Sequence, residues 1–195
     1  MANLYIIAGC NGVGKTTASF TVLPEMLNCN EFVNADGIAA GLSPFNPDSV
    51  AIEAGRLMLT RINELMKAGV DFAFETTLAA RSYVSLVKVA QWAGYKVTLL
   101  FMWLDSPGMA IQRVAGRVAE GGHNIPDNVI ERRYYRGIFN LIHSYIPVCN
   151  RWIVVDNKDV VPVLVAKGAY YKENTIRDHC IWEVINTQSS TYGSK

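Results

Sequence analysis

Residues 9–16 read Gly9-Cys10-Asn11-Gly12-Val13-Gly14-Lys15-Thr16, a G-x-x-x-x-G-K-T loop, and its flanks narrow the fold further. The apolar run 4–8 before it predicts a short buried strand. Residues 17–26 after it predict a helix. In that context the glycines let backbone N–H groups turn inward around a phosphate, and the helix adds its positive N-terminal end. Gly9, Asn11, Gly12, Val13, Gly14 and Thr17 are the expected cradle. Lys15 can reach the outer phosphates, and the Thr16 hydroxyl can ligate Mg²⁺. An incidental glycine-rich turn would need neither the strand nor the helix. A nucleoside triphosphate is therefore expected here, and the open question is the fate of its γ-phosphate.

Composition narrows the classes. With 195 residues, half of them apolar and 18% charged, the chain is expected to fold as one ordinary domain. The formal net charge of +1 gives no electrostatic case for nucleic acid or a membrane surface. The apolar N-terminal run has no basic stretch before it, so it reads as a strand and not as a signal peptide. No apolar run reaches the length of a membrane span. Cys10, Cys29, Cys149 and Cys180 are widely spaced with no C-x-x-C pair. That argues against zinc and a disulfide framework, and for a reducing cytosol. Cys10 lies inside the phosphate loop and reads as a small loop residue, although oxidation there could block nucleotide binding.

Strand and helix patterns alternate along the chain. Strands are expected at 4–8, 31–34, 70–75, 96–104 and 151–155, with a possible edge strand at 163–166. Helices are expected at 17–26, from Asp48 or Ser49 to about Ala68, and from about Arg81 to Ala93. This order implies a three-layer α/β sandwich, with a parallel sheet of about five strands and helices on both faces. One domain is expected over 1–186, with a polar, frayed tail at 187–195. Helices at 107–119 and 127–146 are joined by residues 120–126, which carry two glycines and a proline. The arrangement suits a lid, at about 106–147, over a phosphoryl-transfer site; a plain helical hairpin is the alternative.

In an open parallel sheet, ligands sit beyond the carboxyl ends of the strands. Three polar motifs fall there: the phosphate loop, Asn34-Ala35-Asp36 and Glu75-Thr76-Thr77. Asp36 can take the proton of a substrate hydroxyl that attacks the γ-phosphate, or simply cap a turn before Gly37. Glu75 closes the apolar run Phe72-Ala73-Phe74, where a charge needs a partner. It can bind substrate hydroxyls, hold Mg²⁺ through water, or serve a helix cap with Thr76 or Thr77. Asp105 ends another apolar strand in a Walker B-like position, yet it also starts the turn Asp105-Ser106-Pro107. Arg113, Arg117, Arg132, Arg133 and Arg136 lie in the lid region, where guanidinium forks can stabilise a transferring phosphoryl group. About two of the five are expected to be functional and the others solvated. His123 touches phosphate or only its own turn. His143, His179 and the four tryptophans read as structural.

Together these segments resemble one family. The run 8–17 with Asn34-Ala35-Asp36 and Phe74-Glu75-Thr76-Thr77-Leu78 is similar to zeta-toxin-type kinases. Residues 113–118, the run Gly121-Gly122-His123-Asn124-Ile125-Pro126, and Arg132-Arg133-Tyr134 resemble the lid of their short bacterial relatives. The likeness covers about residues 3–157. It implies a P-loop kinase that uses ATP or GTP with Mg²⁺. In the toxin branch the acceptor is the 3′-hydroxyl of a UDP-activated amino sugar, such as UDP-N-acetylglucosamine. The resemblance makes Asp36 the base and Lys15 and Thr16 the phosphate-loop residues. Glu75 becomes the acidic substrate-binding position, with Asn34, Thr76 and His123 beside it and Thr16 at the metal. Arg117, Arg133 and Arg136 are the favoured lid arginines. A cytoplasmic enzyme is implied, and any antitoxin is expected as a separate protein. The lid sequence departs from that of the toxins proper, so the kinase chemistry carries over better than the acceptor. A P-loop kinase for another small hydroxyl acceptor is the nearest alternative; a partner-dependent ATPase switch and a kinase for nucleic-acid ends are the competing classes. The switch lacks a clear water-orienting glutamine and a convincing Walker B, and near-neutral charge disfavours the nucleic-acid kinase.

Overall fold

In a computed structural model of the chain, residues 1–122, 124–170 and 172–193 are described. The chain forms seven strands and seven α-helices among those residues: β1 Asn3–Gly9, α1 Lys15–Thr21, β2 Glu31–Val33, α2 Ala35–Leu42, α3 Ala51–Ala68, β3 Phe72–Thr76, α4 Ser82–Trp92, β4 Lys96–Trp103, α5 Pro107–Ala119, α6 Asp127–Asn140, β5 Arg151–Asp156, β6 Val163–Ala169, β7 Thr175–Ile176 and α7 His179–Gly193. One sheet holds all the strands, in the order β2-β3-β1-β4-β5-β6-β7. The first five are mutually parallel; β6 and β7 add on in antiparallel fashion. The expected five-stranded parallel sheet is therefore present, but the full sheet has seven strands. The stretch 163–166 is not its edge, because β7 lies outside it.

Burial along the central strands shows why these segments are strands. Successive side chains in a strand point to opposite faces. Ile6, Ile7 and Ala8 are all buried, as are Phe72, Ala73 and Phe74, and Phe101, Met102 and Trp103. Both faces are thus covered, as a parallel sheet requires. Each fully buried large apolar side chain of this kind contributes on the order of 1.5–3 kcal/mol.

Other differences from the sequence expectation have local causes. The helix expected at 17–26 is α1 followed by a π-helical turn, Val22–Met26, which contains Pro24. Proline has no N–H to give to the regular helical ladder. The short α2 was not anticipated; Asn34 caps it by accepting from the N–H groups of Asp36 and Gly37. The helix expected at 127–146 ends as α6 at Asn140 and continues as a π-helical turn, Leu141–Tyr145. Residues 187–193 of the expected frayed tail are instead the end of α7, in which Ile185 and Ser189 are buried. Trp103 and Trp152 are packed, and Trp182 stacks on Trp152 at 5.6 Å between centroids. Trp92 breaks the expectation for tryptophan: it is 95% exposed.

Candidate active site

The phosphate loop turns where glycine is required. Gly12 has φ +76°, and a Cβ there would lie 2.7 Å from the Ala110 carbonyl oxygen of α5. Any side chain would push α5 off the loop. Lys15, at the start of α1, is buried and folds back, its Nζ donating to the Cys10 carbonyl at 2.9 Å and lying 3.6 Å from Glu75 Oε1.

Parallel pairing brings the acidic and amide groups level with this loop. Ile7 of β1 pairs with Glu75 of β3, and Phe74 pairs with Val33 of β2. The carboxyl ends of three neighbouring strands therefore deliver Thr16, Glu75 and Asn34 to one point. Thr16 Oγ1 donates to Glu75 Oε2 at 2.7 Å, and Asn34 Nδ2 donates to the same oxygen at 2.9 Å. The buried charge that the strand pattern flagged has its partners. Asn34 thus caps α2 through its oxygen and holds Glu75 through its nitrogen.

Asp36 stands in the first turn of α2 and is exposed. Its carboxylate has no partner among the described residues, while its backbone N–H is taken by Asn34 Oδ1. It lines a cavity of about 390 Å³ together with Lys15, Glu75, Asn34, Arg133 and Arg136. Arg132 and Asn11 also line it, with Thr76, Thr77, Ala79 and Ala80 as one wall. Four cations face two carboxylates there, so the cavity suits anionic groups. Arg133 also reaches the phosphate loop, with Nη1 donating to Asn11 Oδ1 at 3.3 Å. A second cavity of about 500 Å³ adjoins the first across Ala35, Asp36, Arg132 and Arg133. Asp48, Arg117 and, from the connection between α5 and α6, Gly122, Asn124, Ile125 and Pro126 line it.

Most expected site residues thus meet, and two of the described ones do not. Arg113 is turned away, its guanidinium donating to the Asn157 and Lys158 carbonyls at 3.0 and 2.6 Å. Asp105 is exposed and outside the described lining of either cavity; Gln188 Nε2 binds its carbonyl at 3.1 Å. The Walker B-like alternative for Asp105 gives way to Glu75, the carboxylate that Thr16 contacts. His123 lies outside the described residues.

Sequence reasoning passed over Asn157. Its Nδ2 donates to the Val13 carbonyl at 2.6 Å, and Arg113 clamps the same turn. The turn sits just past the carboxyl end of β5, so the strand-end rule that found Asp36 would have pointed to it. Tyr83 and Met58, which also line the first cavity, carry no motif signal.

Cys10 is 5% exposed, and burial pushes its thiol up to about 11, Lys15 offsetting this only in part. At pH 8 only about one thiol in a thousand is then thiolate, the reactive form. A small, packed loop residue is thus the better reading of Cys10, and its oxidation is disfavoured. Iodoacetamide at pH 8 is expected to label exposed Cys180 in the native protein and to spare Cys10 until the chain is unfolded, as read by peptide mass spectrometry.

A phosphate loop between β1 and α1, in a sheet whose parallel strands run 2-3-1-4-5, defines a P-loop fold with a substrate crevice beside the loop. The family model described as Zeta toxin matches residues 2–161, and the chain belongs to that family of P-loop kinases. An uncharacterised protein of Haemophilus influenzae is 30% identical over 127 residues, 65% of this chain and 88% of that one. The structure of the AvrRxo1-ORF1:AvrRxo1-ORF2 complex with sulphate ions superposes at a TM-score of 0.76 with 17% identity; it covers 96% of this chain, which spans only 64% of that one. The PezAT chromosomal toxin–antitoxin system of Streptococcus pneumoniae gives a TM-score of 0.68 with 14% identity, covering 100% of this chain and 88% of that one. At these identities the structural likenesses speak for the fold.

Proposed function

We propose that the chain is a kinase that moves the γ-phosphate of ATP or GTP to a hydroxyl of a small anionic acceptor, a UDP-activated amino sugar such as UDP-N-acetylglucosamine. The observation that carries this reading is the Asp36 carboxylate, without a partner among the described residues and sharing one cavity with Lys15, Arg133 and Arg136. Asp36 accepts the proton of the acceptor hydroxyl as that oxygen attacks in line. Lys15 leaves the Cys10 carbonyl for the outer phosphates. Arg133, Arg136 and Arg117 counter the charge that spreads over the transferring group. The lid residues exclude water, which suppresses hydrolysis. The acceptor fits the two adjoining cavities because their common wall holds Asp36 and two arginines.

Mg²⁺ fits this donor set. Thr16 donates its single hydroxyl proton to Glu75 and accepts a long bond from Asn34 Nδ2 at 3.4 Å, so one lone pair stays available to a cation. Among the described residues no three His, Cys, Asp or Glu side chains cluster as a metal cage. That agrees with Mg²⁺, which keeps waters and relies on phosphate oxygens. When bound, the ion neutralises charge on the β- and γ-phosphates. Thr16 would hold it, and Glu75 would hold Thr16. Glu75 thereby serves the nucleotide as well as the acceptor, a role beyond the acceptor contact that the family resemblance implies.

Membership of this family, and the likeness to PezAT, support a separate antitoxin protein as partner. ATP and nucleotide sugars place the reaction in the cytoplasm. The reading is tested by incubating the protein with γ-labelled ATP·Mg²⁺ and a panel of UDP-sugars. Label in UDP-N-acetylglucosamine is the expected result. Label in none of the panel, with ATP still bound, would overturn the sugar-nucleotide acceptor.

A further inference from the structure

The wall of the first cavity, residues 77–81, is held in an unusual shape. Leu78 has φ +61°, a left-handed conformation that a non-glycine residue adopts only when its surroundings enforce it. Its side chain is fully buried, and its N–H is taken by Thr76 Oγ1 at 3.1 Å.

The enforcement comes from one direction. Gly137 of α6 abuts Thr77, where a Cβ would lie 2.7 Å from the Thr77 carbonyl oxygen. Asn140, 3% exposed, donates from Nδ2 to the Leu78 carbonyl at 2.8 Å and accepts from Arg81 Nε at 3.2 Å. Tyr145 Oη donates to the Ala80 carbonyl at 2.6 Å. The Arg81 guanidinium sits 5.4 Å from the centre of the Phe139 ring. Thus Thr77, Leu78, Ala80 and Arg81 are all tied to residues 137–145.

The same helix supplies the arginines. Positions 133, 136, 137 and 140 follow three- and four-residue steps, so they lie on one helical face. That face presents Arg133 and Arg136 to the cavity and Gly137 and Asn140 to the cavity wall.

We propose that Asn140 is a positioning residue for the acceptor: it fixes the wall Thr77–Ala80 at a set distance from the arginines of α6. The assignment rests on the kinase reading above. An acceptor lying against Thr77, Ala79 and Ala80 is then registered to the phosphoryl group through one rigid element. Misplacement of reacting groups by a fraction of an ångström is costly in rate.

The test uses the full chain with Asn140→Ala, and with Gly137→Ala as a second variant that displaces Thr77 sterically and leaves the Asn140 amide in place. Two quantities are read: the KM for the UDP-sugar against the dissociation constant of ATP·Mg²⁺, and hydrogen exchange of residues 77–81 against the phosphate loop. The inference expects the acceptor KM to rise about tenfold in both variants, with nucleotide affinity unchanged and exchange faster in 77–81 only. Equal loss of both affinities, or an unchanged acceptor KM, would overturn it. If the wild-type protein labels no UDP-sugar, the acceptor assignment fails and hydrogen exchange decides. Faster exchange confined to 77–81 then supports the role of Asn140, and unchanged exchange there overturns it.

Discussion

Asp36→Asn is expected to lower phosphoryl transfer by about 10²–10⁴-fold, the range that general base catalysis contributes. ATP·Mg²⁺ affinity and thermal stability should hardly change. The expectation follows from where Asp36 sits. Its carboxylate is exposed and has no partner among the described residues, so the amide leaves no buried donor or acceptor orphaned. The α2 cap is unaffected, because the bond from Asn34 goes to the Asp36 backbone N–H. The substitution therefore removes basicity and little else. Single-turnover transfer measured beside nucleotide binding checks the point. A variant that transfers phosphate at the wild-type rate would reduce Asp36 to a residue of the first helical turn.

Glu75→Gln is expected to abolish most of the gain in nucleotide affinity that Mg²⁺ confers, by about 10–100-fold, as loss of partners behind a metal ligand does. Affinity for nucleotide in excess EDTA should change little. Glu75 Oε2 accepts from both Thr16 and Asn34, and Oε1 lies near Lys15. Glutamine keeps the shape but removes the charge that orients the Thr16 hydroxyl. Titration of a fluorescent ATP analogue with and without Mg²⁺ reads the effect, with no need for an acceptor. A loss equal in both conditions would instead place Glu75 in general stability of the loop. A loss seen only in acceptor KM would restrict it to the acceptor role that the family resemblance implies.

Much of this was legible in the chain because it is written in short-range rules. The phosphate loop, the strand before it and the strand-end positions of Asn34, Asp36 and Glu75 follow from local pattern and from the geometry of parallel sheets. The five parallel strands were readable for the same reason. What escaped notice depends on distant partners. α2 is seven-eighths Ala, Gly, Ile and Leu, a composition without clear helical period, and its capping residue reads equally well as a strand end. α7 has a polar sequence that suggests fraying; it is ordered by Gln188, which binds Trp103 Nε1 and the Asp105 carbonyl, and by buried Ile185. Asn140 sits in an unremarkable helical stretch, and only the left-handed Leu78, 62 residues away, reveals its use. The choice among the arginines was a matter of helix phase. Arg132, Arg133 and Arg136 enter the first cavity, Arg117 the second, and Arg113 faces the turn after β5.

A kinase site transfers phosphate to a small hydroxyl acceptor and guards it from water. The most direct measurement is ADP release from ATP·Mg²⁺ by the wild-type protein, with and without UDP-N-acetylglucosamine, alongside mass analysis of the sugar nucleotide. A kinase predicts slow release alone, and fast release with the acceptor matched mole for mole by a product one phosphoryl group heavier. ADP released at the same rate in both cases, with the sugar nucleotide unchanged, would rule out transfer to this acceptor and point to a nucleotide-driven switch.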